Sequence, residues 1–416
     1  MNLVERDARV CWHPYTQHGL EPDPLPVARA RGAWLELEDG RRVLDAISSW
    51  WACLHGHAHP AIVAAIARQA GELDHVLFAG ATHEPAVRLA EELLAVAPSG
   101  LARVFYSDDG STAVEAALKM VAGAWAQRGE AQRTVFVALE HAYHGDTFGA
   151  MAAGDPEPFF AAYAPFLFAV RRVPPEAEAL RAALEELGPR AAGLIVEPLV
   201  QAAAGMRFHA PEFLRAARAL CTRHGLPLIA DEVMTGFGRT GDLFACARAG
   251  IAPDVLCLGK GLTGGTLPLA ATLATEELFQ AFRGGERLRF FPHGHTFTAN
   301  PIACAAALAS LELCRRDEVP ARLERIGAAI AGELDDLRAD ARVRELRHLG
   351  GIVALELAAP LGYGAPTGLE LRRRALELGV LLRPLGNVLY ALPPACTTPE
   401  EAALIAAALR ALVRSR

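Results

Sequence analysis

Short apolar runs alternate with long alanine- and leucine-rich stretches through most of the chain, and that alternation limits the fold more than any other feature. Runs at 103–106, 134–139, 192–196, 227–230 and 254–258 read as buried strands, and stretches such as 112–125 and 211–224 as helices between them. Strands alternating with helices predict an α/β architecture built on a mostly parallel sheet covered on both faces. From 301–313, which opens an alanine-rich helix, the pattern shifts. Helix 320–339, strand 352–357, helix 367–378, strands 380–383 and 388–392, and helix 399–414 describe a smaller α+β domain. The predicted organisation is an N-terminal segment 1–50 that belongs with the smaller domain, a large domain 51–305 and a C-terminal small domain 306–416.

Composition removes several classes of function. Hydrophobic residues make up 52% of the chain and charged residues 21%, ample for a large core and unlike a disordered chain. A net charge of −7 lacks the basic footprint of a nucleic-acid binder, so none is expected as a partner. No apolar run approaches the roughly 18 residues of a membrane helix, and residues 1–10 do not read as a signal peptide. The eight cysteines are scattered without a C-x-x-C pair, as expected of reduced core residues in a cytoplasmic protein.

Three polar sites stand at the ends of predicted strands. Asp108-Asp109-Gly110-Ser111-Thr112 lies between a strand and a helix, where glycine admits an anion and helix-start N–H groups and hydroxyls can hold a phosphate. In Leu228-Ile229-Ala230-Asp231-Glu232-Val233 a buried strand runs into two carboxylates. A buried carboxylate needs a cation or several hydrogen bonds, and a pyridinium nitrogen is such a cation. In Leu256-Cys257-Leu258-Gly259-Lys260-Gly261 a lysine between glycines ends an apolar strand, in a chain where lysine is scarce. Partial desolvation would make its amine a nucleophile toward carbonyls. Each site has an ordinary alternative: a helix cap, a surface turn, an exposed loop lysine. Together they are the phosphate cup, ring-nitrogen carboxylate and Schiff-base lysine that pyridoxal phosphate demands, at the sheet edge where α/β proteins bind ligands.

Two other patterns compete. Gly236-Phe237-Gly238-Arg239-Thr240-Gly241 matches a dinucleotide-binding G-x-G-x-x-G, with Asp254 beyond it. A nicotinamide-dependent oxidoreductase is disfavoured because residues 231–235 separate the glycines from the strand and no evident helix follows Gly241. His55, His57 and His59 alternate like metal ligands, but Gly56 and Pro60 indicate a turn and no companion cluster is present, so no metal is expected. His141, Tyr143, His144 and Asp146 form a further polar knot, whose aromatic could stack on a cofactor or anchor the loop.

The run Ile229-Ala230-Asp231-Glu232-Val233, then Gly236 through Gly241, Pro253-Asp254 and Gly259-Lys260, resembles the cofactor-lysine signature of class III aminotransferases. The resemblance covers nearly the whole chain, including Tyr143-His144-Gly145, Glu197-Pro198 and Thr296 with Asn300-Pro301. It implies the fold-type I architecture, pyridoxal 5′-phosphate, and a homodimer with shared active sites acting on small molecules. It also implies that Lys260 carries the cofactor and transfers the proton, that Asp231 keeps the ring nitrogen protonated, and that Tyr143 stacks on the ring. Gly110, Ser111 and Thr296 would anchor the phosphate, Thr296 from across the dimer.

Within the family, Trp12-His13-Pro14-Tyr15-Thr16-Gln17, Ser48-Ser49-Trp50-Trp51 and Leu382-Arg383-Pro384-Leu385-Gly386 with Tyr390 resemble the branch that aminates 8-amino-7-oxononanoate in biotin synthesis. That implies a substrate set of Tyr15, Trp50, Tyr143, Lys260, Gly294, Arg383 and Tyr390, with Tyr15 also in the catalytic set. Aromatics would line an apolar slot and Arg383 would hold the carboxylate. The donor implied is S-adenosylmethionine. His295 stands where the family often has proline, and segment 154–168 is short; both look more like lysine-using relatives, which keeps lysine as the alternative donor. A broader ω-amino-acid aminotransferase is the wider reading.

Overall fold

The computed structural model describes residues 1–359 and 362–415. The chain divides into two compact units, Pro60–Glu324 and Met1–His59 with Arg325–Arg416.

The larger unit is built on a seven-stranded sheet. Its strands are Leu101–Ser107 (β1), Val135–Leu139 (β2), Val170–Val173 (β3), Ala191–Val196 (β4), Leu228–Asp231 (β5), Val255–Leu258 (β6) and Ala270–Thr275 (β7). The order across the sheet is β1-β7-β6-β5-β4-β2-β3. Strands β6, β5, β4, β2 and β3 pair in parallel, and β7 is antiparallel to both of its neighbours. Six strands therefore point one way and present their carboxyl ends along one edge. Every residue of β4, β5 and β6 is buried, which requires cover on both faces.

Helix Gly110–Gln127 packs on β1, β6 and β7. Its buried face is largely alanine and valine, with Ala113, Val114, Ala116, Ala117, Val121 and Ala124 inside, so helix and sheet approach closely. The predicted strands appear within a residue or two of their expected bounds. Strand β7 was not anticipated, because half of Ala270–Thr275 is alanine and only Thr272 and Thr275 are β-branched.

The smaller unit joins both ends of the chain. Val27–Arg31, Trp34–Leu37 and Arg42–Asp45 form an antiparallel ladder, and Val380–Leu381 adds in parallel beside Arg42–Asp45. A second sheet pairs Val343–Leu349, Ile352–Leu357 and Val388–Ala391. Helix Pro399–Arg414 starts at a Thr398–Glu401 capping box.

The unit boundaries differ from the expected 50/51 and 305/306. Residues 51–59 stay with the smaller unit because Gly32 and His57 exchange backbone bonds of 3.0 and 2.7 Å. Helix Pro301–Arg316 stays with the larger because it packs on Pro60–Glu72 and Glu84–Val96. The helix expected over 320–339 closes as Val319–Glu333, with Asp335–Ala339 a separate 3-10 turn. The predicted strand 380–383 is two residues, Val380–Leu381. The predicted domain 306–416 includes Pro360, Leu361 and Arg416, which lie outside the described residues.

Candidate active site

Five chemical groups converge on the carboxyl edge of the large sheet. After β1, Asp109 caps helix Gly110–Gln127 by accepting from the Thr112 N–H at 2.9 Å, and the Thr112 hydroxyl donates back to the Asp109 carbonyl at 2.8 Å. Thr112 is thereby committed to the cap. Ser111 Oγ accepts from the Asp146 N–H at 3.1 Å. The glycines here are structural requirements. A Cβ on Gly110 would stand 2.5 Å from Val233 Cγ1, and one on Gly145 (φ 123°) would meet Ser111 Oγ at 2.1 Å. The result is the N-terminus of an 18-residue helix with close backbone around it, a place suited to an anion.

After β5, the two carboxylates part company. Buried Asp231 turns Oδ2 to His144 Nδ1 at 2.6 Å and accepts from the Val233 N–H on Oδ1 at 3.1 Å. Glu232 is fully buried the other way, accepting from Ala245 N–H, Cys246 N–H and the Thr235 hydroxyl at 2.7, 2.8 and 3.1 Å. Glu232 is thus a structural cap, and burial pushes its carboxyl up. His144 is buried as well, and its Nε2 has no hydrogen-bond partner among the described residues. Burial opposes protonation of His144, yet bonding to Asp231 outweighs it and raises the imidazole above its ordinary value.

After β4 comes Glu197, also buried, which accepts from the Tyr143 N–H at 3.1 Å and the Ala202 N–H at 3.0 Å. Burial pushes its carboxyl up to about 7, with His144 pulling the other way. After β6, Gly259 leads into Lys260, whose backbone is left-handed at φ 41°. Burial lowers the Lys260 amine, opposed by the negative charges of Asp231, Glu197 and Asp146. An amine so placed is a nucleophile at lower pH than an exposed lysine. The chain holds only two lysines, and the other, Lys119, is exposed.

Of the expected cofactor residues, Gly110, Ser111, Tyr143, Asp231 and Lys260 all belong to this edge. Tyr143 is half-buried; its hydroxyl donates to Asp146 Oδ1 at 2.8 Å and its ring lies nearly parallel to Phe160, 6.0 Å away. Gly294 and Thr296 are exposed, and Thr296 makes no hydrogen bond to Gly110 or Ser111 among the described residues. His295 Nδ1, next to both, stands 3.1 Å from Asp108 Oδ2. The sequence alone gave neither Glu197 nor His144 a role of its own. The available signal was their position after apolar strands, the same signal that picked out Asp231.

The G-x-G-x-x-G run forms no dinucleotide cradle. Gly238 packs on the Pro320 backbone, Arg239 is buried, and the following helix is only Ala245–Ala249. His57 bonds Asp45, while the His55 and His59 rings meet edge to face at 6.0 Å.

A second cluster lies in the smaller unit. Arg383 sits over the Trp50 ring at 5.0 Å and donates to the Tyr15 carbonyl at 3.2 Å. The Tyr15 and Trp50 rings meet edge to face at 5.8 Å. Arg372 pairs with Glu21 at 3.1 Å, whereas Arg383 has no carboxylate partner among the described residues. Trp50 is 41% exposed. Tyr390 differs from the expected lining role. It is 2% exposed and its hydroxyl accepts from Trp51 Nε1 at 3.0 Å, so it backs Trp51 rather than presenting a surface.

The family described as aminotransferase class III matches residues 15–413. Over 417 residues the chain is 49% identical to the adenosylmethionine-8-amino-7-oxononanoate aminotransferase of Synechococcus elongatus, covering 97% of this chain and 98% of that one. Among solved structures, the adenosylmethionine-8-amino-7-oxononanoate aminotransferase of Methanocaldococcus jannaschii is similar, with TM-score 0.95, 35% identity and coverage of 99% and 98%. A PLP-bound amine transaminase from an uncultivated Pseudomonas species is similar too, with TM-score 0.91, 34% identity and coverage of 97% and 98%.

Proposed function

Because the chain belongs to the class III aminotransferases, we propose that it converts 8-amino-7-oxononanoate to 7,8-diaminononanoate in biotin synthesis. Pyridoxal 5′-phosphate is the cofactor of this reading and S-adenosylmethionine the amino donor. The groups at the sheet edge fit that cofactor: a helix start opened by Gly110 for the phosphate, a buried carboxylate for a protonated ring nitrogen, and a desolvated amine. When bound, the cofactor supplies an electron-poor ring that takes up the electron pair left on a substrate carbon.

The chain's own residues do the rest. Lys260 Nζ would hold the cofactor and, once displaced by the donor amine, takes and returns the proton at the reacting carbon. Asp231 keeps the ring nitrogen protonated, and His144 fixes the orientation of Asp231 through its 2.6 Å bond. Gly110 and Ser111 hold the phosphate, joined by Thr296 from across a homodimer. Tyr143 covers the ring. The exposure of Leu288, Phe290 and Phe297 supports pairing of two chains through the 288–297 region. Eight cysteines without a disulfide suit a reducing cytoplasm.

Arg383 carries the substrate reading. A guanidinium without a carboxylate of its own, flanked by Trp50 and Tyr15, matches an aliphatic chain that ends in a carboxylate. The test is direct. Enzyme, 8-amino-7-oxononanoate and either S-adenosylmethionine or lysine are incubated, and 7,8-diaminononanoate is sought by mass spectrometry. Product with S-adenosylmethionine is the expected result, and product with lysine alone would change the donor. Turnover of β-alanine, ornithine or 4-aminobutyrate without the oxo acid would replace the reading with a broader ω-amino-acid aminotransferase.

A further inference from the structure

We propose that Asp45 and His57 are positioning residues for the substrate carboxylate, holding the left-handed Ser48–Trp51 turn that presents Trp50 to Arg383. The inference rests on the carboxylate-binding role given to Arg383 above.

The turn follows strand Arg42–Asp45, and its backbone is unusual. Ser48, Ser49 and Trp51 have φ of 51°, 59° and 65°, and Ser49 has ψ −84°. Residues with a Cβ rarely adopt such angles and keep them only where surrounding bonds over-determine them. Asp45 supplies those bonds from a fully buried position. Its Oδ1 accepts from the Ile47 N–H at 3.2 Å, and its Oδ2 accepts from the Ser49 N–H at 2.6 Å and the Ser49 hydroxyl at 3.1 Å.

The fourth partner of that carboxylate is His57 Nε2 at 2.9 Å. The bond to Asp45 pushes the imidazole up to about 10, so His57 keeps its proton at neutral pH. His57 is itself fixed by its backbone exchange with Gly32. Gly56 beside it can carry no side chain, since a Cβ would stand 2.5 Å from Cys396 Sγ. On the far side, the Ser48 hydroxyl donates to the Leu392 carbonyl at 2.8 Å.

The consequence is that two adjacent tryptophans part. Trp51 is 4% exposed with its indole N–H on Tyr390, whereas Trp50 is turned out beneath Arg383 and against Tyr15. If the turn relaxes, Arg383 loses the ring that fixes its guanidinium.

The test uses the holoenzyme carrying Asp45→Asn, an isosteric change that removes the negative charge facing His57 and leaves one acceptor oxygen, which cannot serve the Ile47 and Ser49 N–H groups together. The KM for 8-amino-7-oxononanoate should rise by at least about tenfold while kcat and the donor half-reaction stay within about threefold. Adding Ser49→Gly should then restore that KM to within about threefold of the parent, because glycine adopts the left-handed turn without the carboxylate's help. If Asp45→Asn fails to fold, His57→Gln with the same Ser49→Gly rescue gives the reading. A KM rise shared equally by both substrates, or no rescue by glycine, overturns the proposal. Arg383→Ala measured alongside separates the two levels. If it leaves the oxo-acid KM unchanged, the carboxylate reading has failed. If it raises that KM and Asp45→Asn does not, only the positioning proposal has failed.

Discussion

The sheet edge of the larger unit and the Trp50–Arg383 cluster of the smaller unit place their functional groups by opposite means. At the edge, regular strands deliver Glu197, Asp231 and Lys260, and of Ser111, His144, Glu197, Asp231 and Lys260 only Lys260 has a positive φ. In the smaller unit, Tyr15, Ser48, Ser49 and Trp51 all lie in the left-handed region. The cofactor machinery thus sits mainly at the ends of regular strands, with left-handed backbone at Lys260 and glycine required at Gly110 and Gly145. The substrate cluster depends on a few buried bonds that hold strained backbone. Changes at the edge should therefore abolish chemistry, and changes in the cluster should alter which substrate is served.

The largest effect tests the edge. Lys260→Ala removes nucleophile and proton carrier together, and kcat should fall by at least about 10⁴-fold. The purified parent should be yellow, with a visible band that borohydride bleaches, and the variant should lack the lysine-bound band. Peptide mapping of the reduced parent should place the adduct on Lys260. Next is Arg383→Ala in the cluster. Loss of one partner of a charge-assisted pair is worth about 2–5 kcal/mol. That should appear in the KM for the oxo acid, with the donor half-reaction preserved. If both variants lost kcat alike, the contrast between the two regions would collapse.

The difference in backbone also explains what the sequence could and could not reveal. Asp231 and Lys260 were legible because each ends an apolar strand and, with the Gly110-Ser111 helix start, they match the parts one cofactor demands, although either alone is ordinary in a surface turn. The parallel sheet was legible for the same reason, since β4, β5 and β6 are uninterrupted apolar runs. Strand Val343–Leu349 was not, because Arg344, Glu345, Arg347 and His348 interrupt it. His144 and Asp231 are 87 residues apart, so their bond has no local signature. Nor does periodicity announce that Asp45 takes its bonds from Ile47, Ser49 and His57. Tyr390 was recognised within a motif, yet a motif does not report that its hydroxyl is spent on Trp51.

A smaller, pH-dependent effect sharpens the account of the edge. Glu197 is raised from its ordinary 4.5 to about 7, chiefly by burial. The folded state thus keeps a proton that the unfolded chain releases earlier. The stability this carries is complete below 4.5 and is lost as the pH climbs through about 7. Across that window the loss is at most about 3 kcal/mol. Glu197→Gln has no proton to release. The melting temperature of the parent should therefore fall relative to the variant between pH 5 and 8, about the ordinary and raised values. A constant difference over that range would mean Glu197 titrates as an exposed carboxyl does, and the edge is wetter than its burial implies.

The smallest effect belongs to the other lysine, and it bears on the whole assignment. Lys119 is exposed on helix Gly110–Gln127, with Nζ 2.9 Å from His293 Nδ1 and 3.3 Å from the Pro292 carbonyl. These contacts tether the segment that leads to Gly294 and Thr296, but an exposed polar tether is worth no more than about 1 kcal/mol. Lys119→Arg keeps the positive charge and donors to both partners while removing the chain's only other lysine amine. Cofactor affinity should change by less than about fivefold, the equivalent of that energy. The visible band and its bleaching by borohydride should persist, since Lys260 is then the sole lysine. If instead the band vanished in Lys119→Arg and survived in Lys260→Ala, the chemistry would belong to an exposed helix face. The converging carboxylates of the sheet edge would then need another purpose.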